Sequence, residues 1–371
     1  MDIETILKQI IAVESTSALS NEPIVDLIIS LVDRHDVAVH KLPSHQEGKF
    51  NLLLTKGKPS VKGITLCGHL DTVPATGDWE STPYELSQRG DNWYARGSCD
   101  MKGFVAIALH TIINSTVNNG CLAVLLLCDE EVGSLGAKHL VETGLPIDIP
   151  NSVIIGEPTS LNIVRLHKGH ISLSLAIEGI SAHTGSPHLG KNALVEGARL
   201  IEKLHLYAKE LEEVRTPCSE FFPKLLSFPI LTISKINSGT AINVVPDYCE
   251  IAMGLRLLPD QDKHTVIGQI ESIIKEHCAL PWKFTELSDN PTMLTCSEAP
   301  INAMLSSIVG QEESHGVSYG SDGGYLSRMG FECVLFGPGD IAIAHKPNEF
   351  VPIEEVHECA DVINEVVRKS C

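Results

Sequence analysis

The chain has 371 residues, 43% of them hydrophobic, and a formal net charge of −19. That length leaves room for more than one domain, and so acidic a balance argues against nucleic-acid or anionic-membrane partners, which call for basic surface. The 11 cysteines show no CxxC spacing, which argues against a cysteine-rich structural zinc site and fits free thiols in a reducing cytoplasm. The start, Met1-Asp-Ile-Glu-Thr, lacks the positive segment of a signal peptide. No apolar run approaches the roughly 20 residues of a membrane span. A soluble, cytoplasmic protein is expected.

Residues 3–13 place Ile3, Ile6, Leu7, Ile10 and Ile11 at helical spacing, and residues 22–35 do the same with Ile24, Leu27, Ile28 and Leu31. Both read as scaffold helices. Val37–Leu42 and Asn51–Leu54 read as strands leading into Ile64–His69. His69 and Asp71 are two apart, which on a strand puts them on one side. A metal-bound imidazole usually gives its other N–H to a carboxylate, which fixes its tautomer, so His69 as ligand with the Asp71 carboxylate behind it is a coherent pair. The plainer reading is a polar strand end that hydrogen-bonds its own loop.

Residues 75–98 read as a surface excursion with a hairpin, turning at Asp91-Asn92. Asp100 precedes an apolar helix, Phe104–Ile113. Its ordinary explanation is a helix N-cap; the sharper one is a carboxylate shared by two metals. Glu130 and Glu131 follow Leu122–Cys128, the most apolar strand of the chain. Adjacent side chains on extended backbone diverge, so one can bind metal while the other faces substrate. Two neighbouring buried carboxylates need cations. A helix near 134–144 and a strand from Ser152 follow, ending in Glu157. Apolar strands that end in charge suggest a buried parallel sheet with its ligands at the carboxyl edge.

After Gly169 the pattern changes. Ile171–Ile177 alternates with period two, and the order strand, helix 192–211, strands 230–236 and 249–257, helix 264–277, strand 282–287 is that of a ferredoxin-like domain. The expected architecture is therefore a mixed, mostly parallel α/β domain, residues 1–167 plus 290–371, with an inserted α+β lid or dimerisation domain at 168–289. The first domain resumes with a helix near 301–309. Tyr319-Gly-Ser-Asp-Gly-Gly is not a phosphate loop, since GxxxxGK[ST] is missing. His345, after a small-residue loop, is the best remaining nitrogen ligand among 16 histidines.

His69, Asp100, Glu131, Glu157 and His345 make a two-metal set, with Asp100 shared. Nitrogen and oxygen donors without thiolate suit two Zn2+, with Co2+ or Mn2+ compatible. Glu130 remains as general base, and the reaction class is metal-assisted amide hydrolysis.

The motifs Gly68-His69-Leu-Asp71-Thr-Val-Pro, Gly97-Ser-Cys-Asp100-Met-Lys-Gly, Asp129-Glu130-Glu131 and Gly156-Glu157-Pro resemble the di-zinc aminoacylase and carboxypeptidase G family over the whole chain. Gly156-Glu-Pro-Thr-Ser-Leu, His167-Lys-Gly-His-Ile-Ser and Phe336-Gly-Pro-Gly-Asp-Ile are most similar to its acetylornithine deacetylase group. The Tyr319–Gly324 loop looks more like the desuccinylase version. The resemblance implies hydrolysis of N-acetyl-L-ornithine to ornithine and acetate in arginine biosynthesis. The alternatives are another N-acyl amino acid, such as N-acetylcitrulline or N-succinyl-diaminopimelate, or a non-catalytic metal- or peptide-binding homologue. The resemblance also implies a homodimer through the inserted domain, with His183 crossing to the partner's oxyanion and Asn243 and Arg256 holding the substrate carboxylate.

Overall fold

The most apolar runs of the chain lie at the middle of the larger sheet. In the computed structural model, which describes all 371 residues, Gly63–His69 pairs in parallel with Cys121–Leu127, His69 standing opposite Leu127. Ser152–Ile155 adds in parallel on the other side of Gly63–His69, and Glu332–Leu335 adds in parallel beyond it. All seven residues of Cys121–Leu127 are buried, as both-face coverage of a parallel sheet requires. These four central strands run parallel to one another. Ala38–Pro43 and Phe50–Gly57 pair antiparallel at one flank, and Val164–His167 meets Glu332–Leu335 antiparallel at the other.

The fold class is the mixed α/β arrangement expected. Helices Ile3–Ile11, Glu22–Val32, Gly103–Asn114 and Ile353–Ser370 bury their apolar faces in one cluster with the sheet. Gly103–Asn114 is buried almost all round, with ten of its twelve residues inside. Gly156 sits where a Cβ would run into the Phe104 ring of that helix, so the strand can deliver Glu157 close to the helix only through glycine.

Two compact units emerge. One comprises residues 1–166, 293–315 and 321–371, and the other residues 167–292 with 316–320. In the second, an antiparallel sheet runs in the order Ile230–Ser238, Tyr248–Leu257, Gly169–Glu178, Trp282–Asn290. Ile171, Leu173, Leu175 and Ile177 share a core with Leu200 and Leu204 of helix Ala193–Glu212 and Ile270 and Ile274 of helix Lys263–His277. The alternating residues between them are the half-exposed ones.

The backbone differs from the sequence reading, or adds to it, at several places. Asp100 is not a helix cap: it lies in a tight turn, Ser98–Lys102, with extended φ/ψ of −120° and 95°, and the helix starts at Gly103. Glu130 and Glu131 are not on extended backbone. They follow Asp129 in the left-handed region, and both Gly133 and Ser134 donate to the Glu130 carbonyl. Strand Val164–His167 was not anticipated, and the short segment 316–320 groups with the inserted unit rather than with the C-terminal part. No helix is long and apolar enough to cross a membrane.

Candidate metal centre

Each candidate ligand sits just beyond a central strand or on a loop tied to one. His69 ends its strand, fully buried. Its Nδ1 is 2.9 Å from the backbone carbonyl of Asp71 and 3.7 Å from the Asp71 carboxylate. A carbonyl only accepts, so Nδ1 carries the proton, and a neutral His69 then presents its lone pair at Nε2. The backbone of Asp71, rather than its side chain, therefore sets the tautomer. The Asp71 carboxylate does something else. It accepts from Ser17 Oγ and from the backbone N–H groups of Glu130 and Glu131, at 2.7, 3.1 and 3.2 Å. It thus holds the turn that presents those two acids.

Asp100 is aimed by Glu349. The buried Glu349 carboxylate accepts from the backbone N–H of Gly97, Cys99 and Asp100, and from the Arg96 guanidinium at 2.6 Å. Both members of that ion pair are 1% exposed. Gly97, at φ +79°, makes the turn that lets three backbone N–H groups of one short stretch converge on one carboxylate. Glu349 is four residues after His345, so one side chain couples the loop of Asp100 to the loop of His345.

The result is a carboxylate shared by two imidazoles. Asp100 Oδ1 is 3.0 Å from His69 Nε2, and Oδ2 is 3.3 Å from His345 Nε2. His345 Nε2 is also 2.9 Å from Glu131 Oε2. Ligand atoms of His69, Asp100 and Glu131 all fall within 4.8 Å of one another. Two lone-pair donors face each other at 3 Å only with a proton or a metal cation between them. In the protein alone that cation is a proton. Hydrogen bonds to Asp100 and Glu131 raise His345 to about 10. Although burial opposes it, the Asp100 carboxylate also holds His69 well above its ordinary value. In return, and against burial, His345 and His69 hold Asp100 well below the usual carboxylate range.

Behind this group stand carboxyls without such partners. Burial pushes Glu157 well above the ordinary range, and the Asp100 charge adds to it. Its Oε1 is buried without a hydrogen-bond partner. Burial likewise raises Glu130, with Glu157 the next cause, and lifts Asp322 to about 7. An orphaned buried oxygen, an imidazole lone pair and clustered carboxylates with no thiolate form the donor set of a hard-to-borderline divalent cation. These residues fit such ions.

Of the remaining expected residues, His183 and Asn243 are brought together. Ala182–His183 pairs with Val244–Val245, the Thr184 N–H donates to the Asn243 carbonyl, and both residues are exposed. Arg256 lies on the second unit's sheet directly opposite His170, with Nη1 2.9 Å from the Ser318 carbonyl. It lines a cavity of about 640 Å3 with His170, Ser172 and Thr232. Sequence reasoning missed Glu349, Arg96, Ser17 and Lys49. Each acts on backbone or on another side chain's partner, and neither leaves a spacing pattern.

The fold and this acid-rich, imidazole-flanked centre define a metal-dependent hydrolase. The description "Peptidase family M20/M25/M40" matches residues 65–369, and the chain belongs to that family. Acetylornithine deacetylase of Myxococcus xanthus is 30% identical over 374 residues, covering 98% of this chain and 96% of that one. The M20 metallo-carboxypeptidase Sso-CP2 of Sulfolobus solfataricus superposes with a TM-score of 0.78 at 18% identity, covering 99% of each chain. The dinuclear metal-binding M20 peptidase YXEP of Bacillus subtilis gives 0.71 at 14% identity, covering 98% of this chain and 96% of that one.

Metal loading must displace protons, because a ligating imidazole is neutral. With His345 raised to about 10, the imidazolium stabilises the metal-free protein fully below about 6.5, its unfolded value, and that contribution is lost as pH rises through 10. Metal affinity should therefore increase with pH between 6 and 9. Titration calorimetry in buffers of different ionisation heat should show at least one proton released per chain. Glu349→Gln should weaken metal affinity roughly 10–100-fold. It should also destabilise the fold by about 3–5 kcal/mol, since Arg96 is left buried and unpaired; metal titration and urea unfolding measure the two effects.

Proposed function

We propose that this chain is a dinuclear zinc deacylase that hydrolyses N-acetyl-L-ornithine to ornithine and acetate, as in arginine biosynthesis. The observation that carries the reading is Asp100, whose two oxygens face different histidines, the arrangement a bridging carboxylate needs. His69 with Glu157, and His345 with Glu131, would complete the two ligand sets. The name of the Myxococcus xanthus relative supports the substrate. The donor chemistry supports zinc, with cobalt or manganese as substitutes.

When bound, the two cations would supply Lewis acidity, acidifying water and stabilising negative charge on the amide oxygen. Glu130 takes the proton of the attacking water and hands it to the leaving nitrogen. Burial disfavours the charge on that carboxylate, which suits a group that must accept and then release a proton. Asp71 holds the Glu130 backbone, so the base stays aimed through both transfers. His183, exposed in its own chain, is read as a donor to the oxyanion of a partner subunit. Asn243 and Arg256 are read as the grip on the substrate carboxylate, with Arg256 suited to two parallel hydrogen bonds. The homodimer would form through the inserted unit, whose strand Ile230–Ser238 is paired on one side only and whose Ile236 and Ile242 are exposed.

Glu130→Gln should keep two metals per chain and lose roughly 10²–10⁴-fold in kcat; metal analysis with steady-state kinetics checks both, and near-normal turnover would remove the base assignment. A panel of N-acyl amino acids fixes the substrate. N-acetyl-L-ornithine should have the highest kcat/KM, a preference for succinyl-diaminopimelate would shift the reading to that rival, and no turnover of any member would favour a binding protein. His183→Ala should lower kcat roughly 10²–10³-fold at unchanged metal content. Mixing it with Glu130→Gln should restore part of the activity if the histidine acts across the dimer.

A further inference from the structure

Two sets of ligand-type side chains flank the turn that carries Glu130 and Glu131. The first is His69, Asp100 and Glu131. The second is His45, Cys128 and Asp129, whose donor atoms also lie within 4.8 Å of one another. That second set already holds a cation belonging to the chain. The Lys49 ammonium is 2.6 Å from Asp129 Oδ1 and 2.6 Å from the Ser17 carbonyl. Lys49 and Asp129 side chains are 2% and 3% exposed. His45 Nε2 covers the other oxygen, Oδ2, at 3.3 Å.

The ion pair sits at the residue where the chain changes direction. Asp129 has φ +56°, in the left-handed region that a residue with a side chain rarely adopts and that its surroundings must hold. Lys49 imposes it from the side chain. Asn51, two residues on, imposes it from the backbone: its Oδ1 accepts from the Cys128 N–H at 3.0 Å and its Nδ2 donates to the Gly136 carbonyl at 3.0 Å. Lys49 also reaches the turn by a second path. It binds the Ser17 carbonyl, while Ser17 Oγ donates to the Asp71 carboxylate, which receives the Glu130 and Glu131 N–H groups.

We infer that Lys49 is a positioning residue for Glu130 and Glu131: through Asp129 directly, and through Ser17 and Asp71, it sets the direction in which the turn presents both acids. The inference rests on Glu130 acting as the base. A lysine suits this role because its ammonium is supplied by the chain itself, so the turn does not depend on a metal for its ion pair. Lys49 need touch neither substrate nor metal to have its effect.

The test compares wild type, Lys49→Met, Lys49→Arg, Ser17→Ala and Glu130→Gln. Each is freed of metal and titrated with Co2+, then assayed at saturating Co2+ on a substrate that the wild type turns over. Lys49→Met should bind the wild-type number of Co2+ ions with roughly 10–100-fold weaker affinity. Its kcat at saturating Co2+ should fall about 10²-fold, the cost of a slightly misplaced catalytic group, with KM within about threefold. Lys49→Arg should recover at least about tenfold of the loss, and Ser17→Ala should lower kcat about fivefold, the worth of one hydrogen bond. A folded Lys49→Met with wild-type kcat and Co2+ affinity overturns the inference, as does a kcat that returns to the wild-type value once Co2+ saturates. If Lys49→Met fails to fold, Lys49→Arg and Ser17→Ala decide, and wild-type kcat in both overturns it. An unimpaired Glu130→Gln would overturn the base assignment alone, leaving Co2+ affinity as the readout for the positioning of Glu131.

Discussion

Asp100 cannot sit between His69 and His345 unless positive charge sits with it, and the rest of the first unit is arranged around that requirement. One carboxylate oxygen faces each imidazole. Glu131 shares the second imidazole, while buried Glu157 and half-buried Glu130 add their carboxyls to the cluster. Such a cluster is costly in a low-dielectric interior without cations. The same cost makes it a selective receptor for them, since every unit of repulsion removed by a divalent ion counts toward its binding.

A site that concentrates repulsion needs scaffolding that does not yield. Three buried supports supply it. Glu349 gathers three backbone N–H groups and Arg96 to fix the loop of Asp100. The Asp71 side chain holds the Glu130–Glu131 turn while its carbonyl sets the His69 tautomer. Lys49 fixes the left-handed residue at which that turn begins. Each of these groups is satisfied by several hydrogen bonds, which is what makes a buried charge tolerable. Together they tie the loops that carry the ligands to buried groups of the first unit.

Much of this was legible in the order of residues. Apolar runs ending in His69, Glu131 and Glu157 announced parallel strands with ligands at their carboxyl edge, because a strand buried on both faces has nowhere to place charge except its end. Period-two alternation between 171 and 177 announced a one-sided antiparallel sheet for the same reason. The short strand Val164–His167 was not legible, since it carries Arg165 and His167 and has no apolar run. Nor was the Asp100 turn, where Asp before an apolar helix looks like a cap until the backbone shows φ/ψ far from helical.

What the sequence by itself determined is the inventory: which residue types can bind a cation, that they end strands, and that a second, differently patterned unit interrupts the first. Those are properties of local periodicity and side-chain chemistry. Only the tertiary structure decided who supports whom. Glu349 reaches Asp100 across 249 residues and Lys49 reaches Asp129 across 80. Such partnerships arise because burial forces every isolated charge to find the nearest opposite group in space, and nearness in space leaves no spacing in the chain.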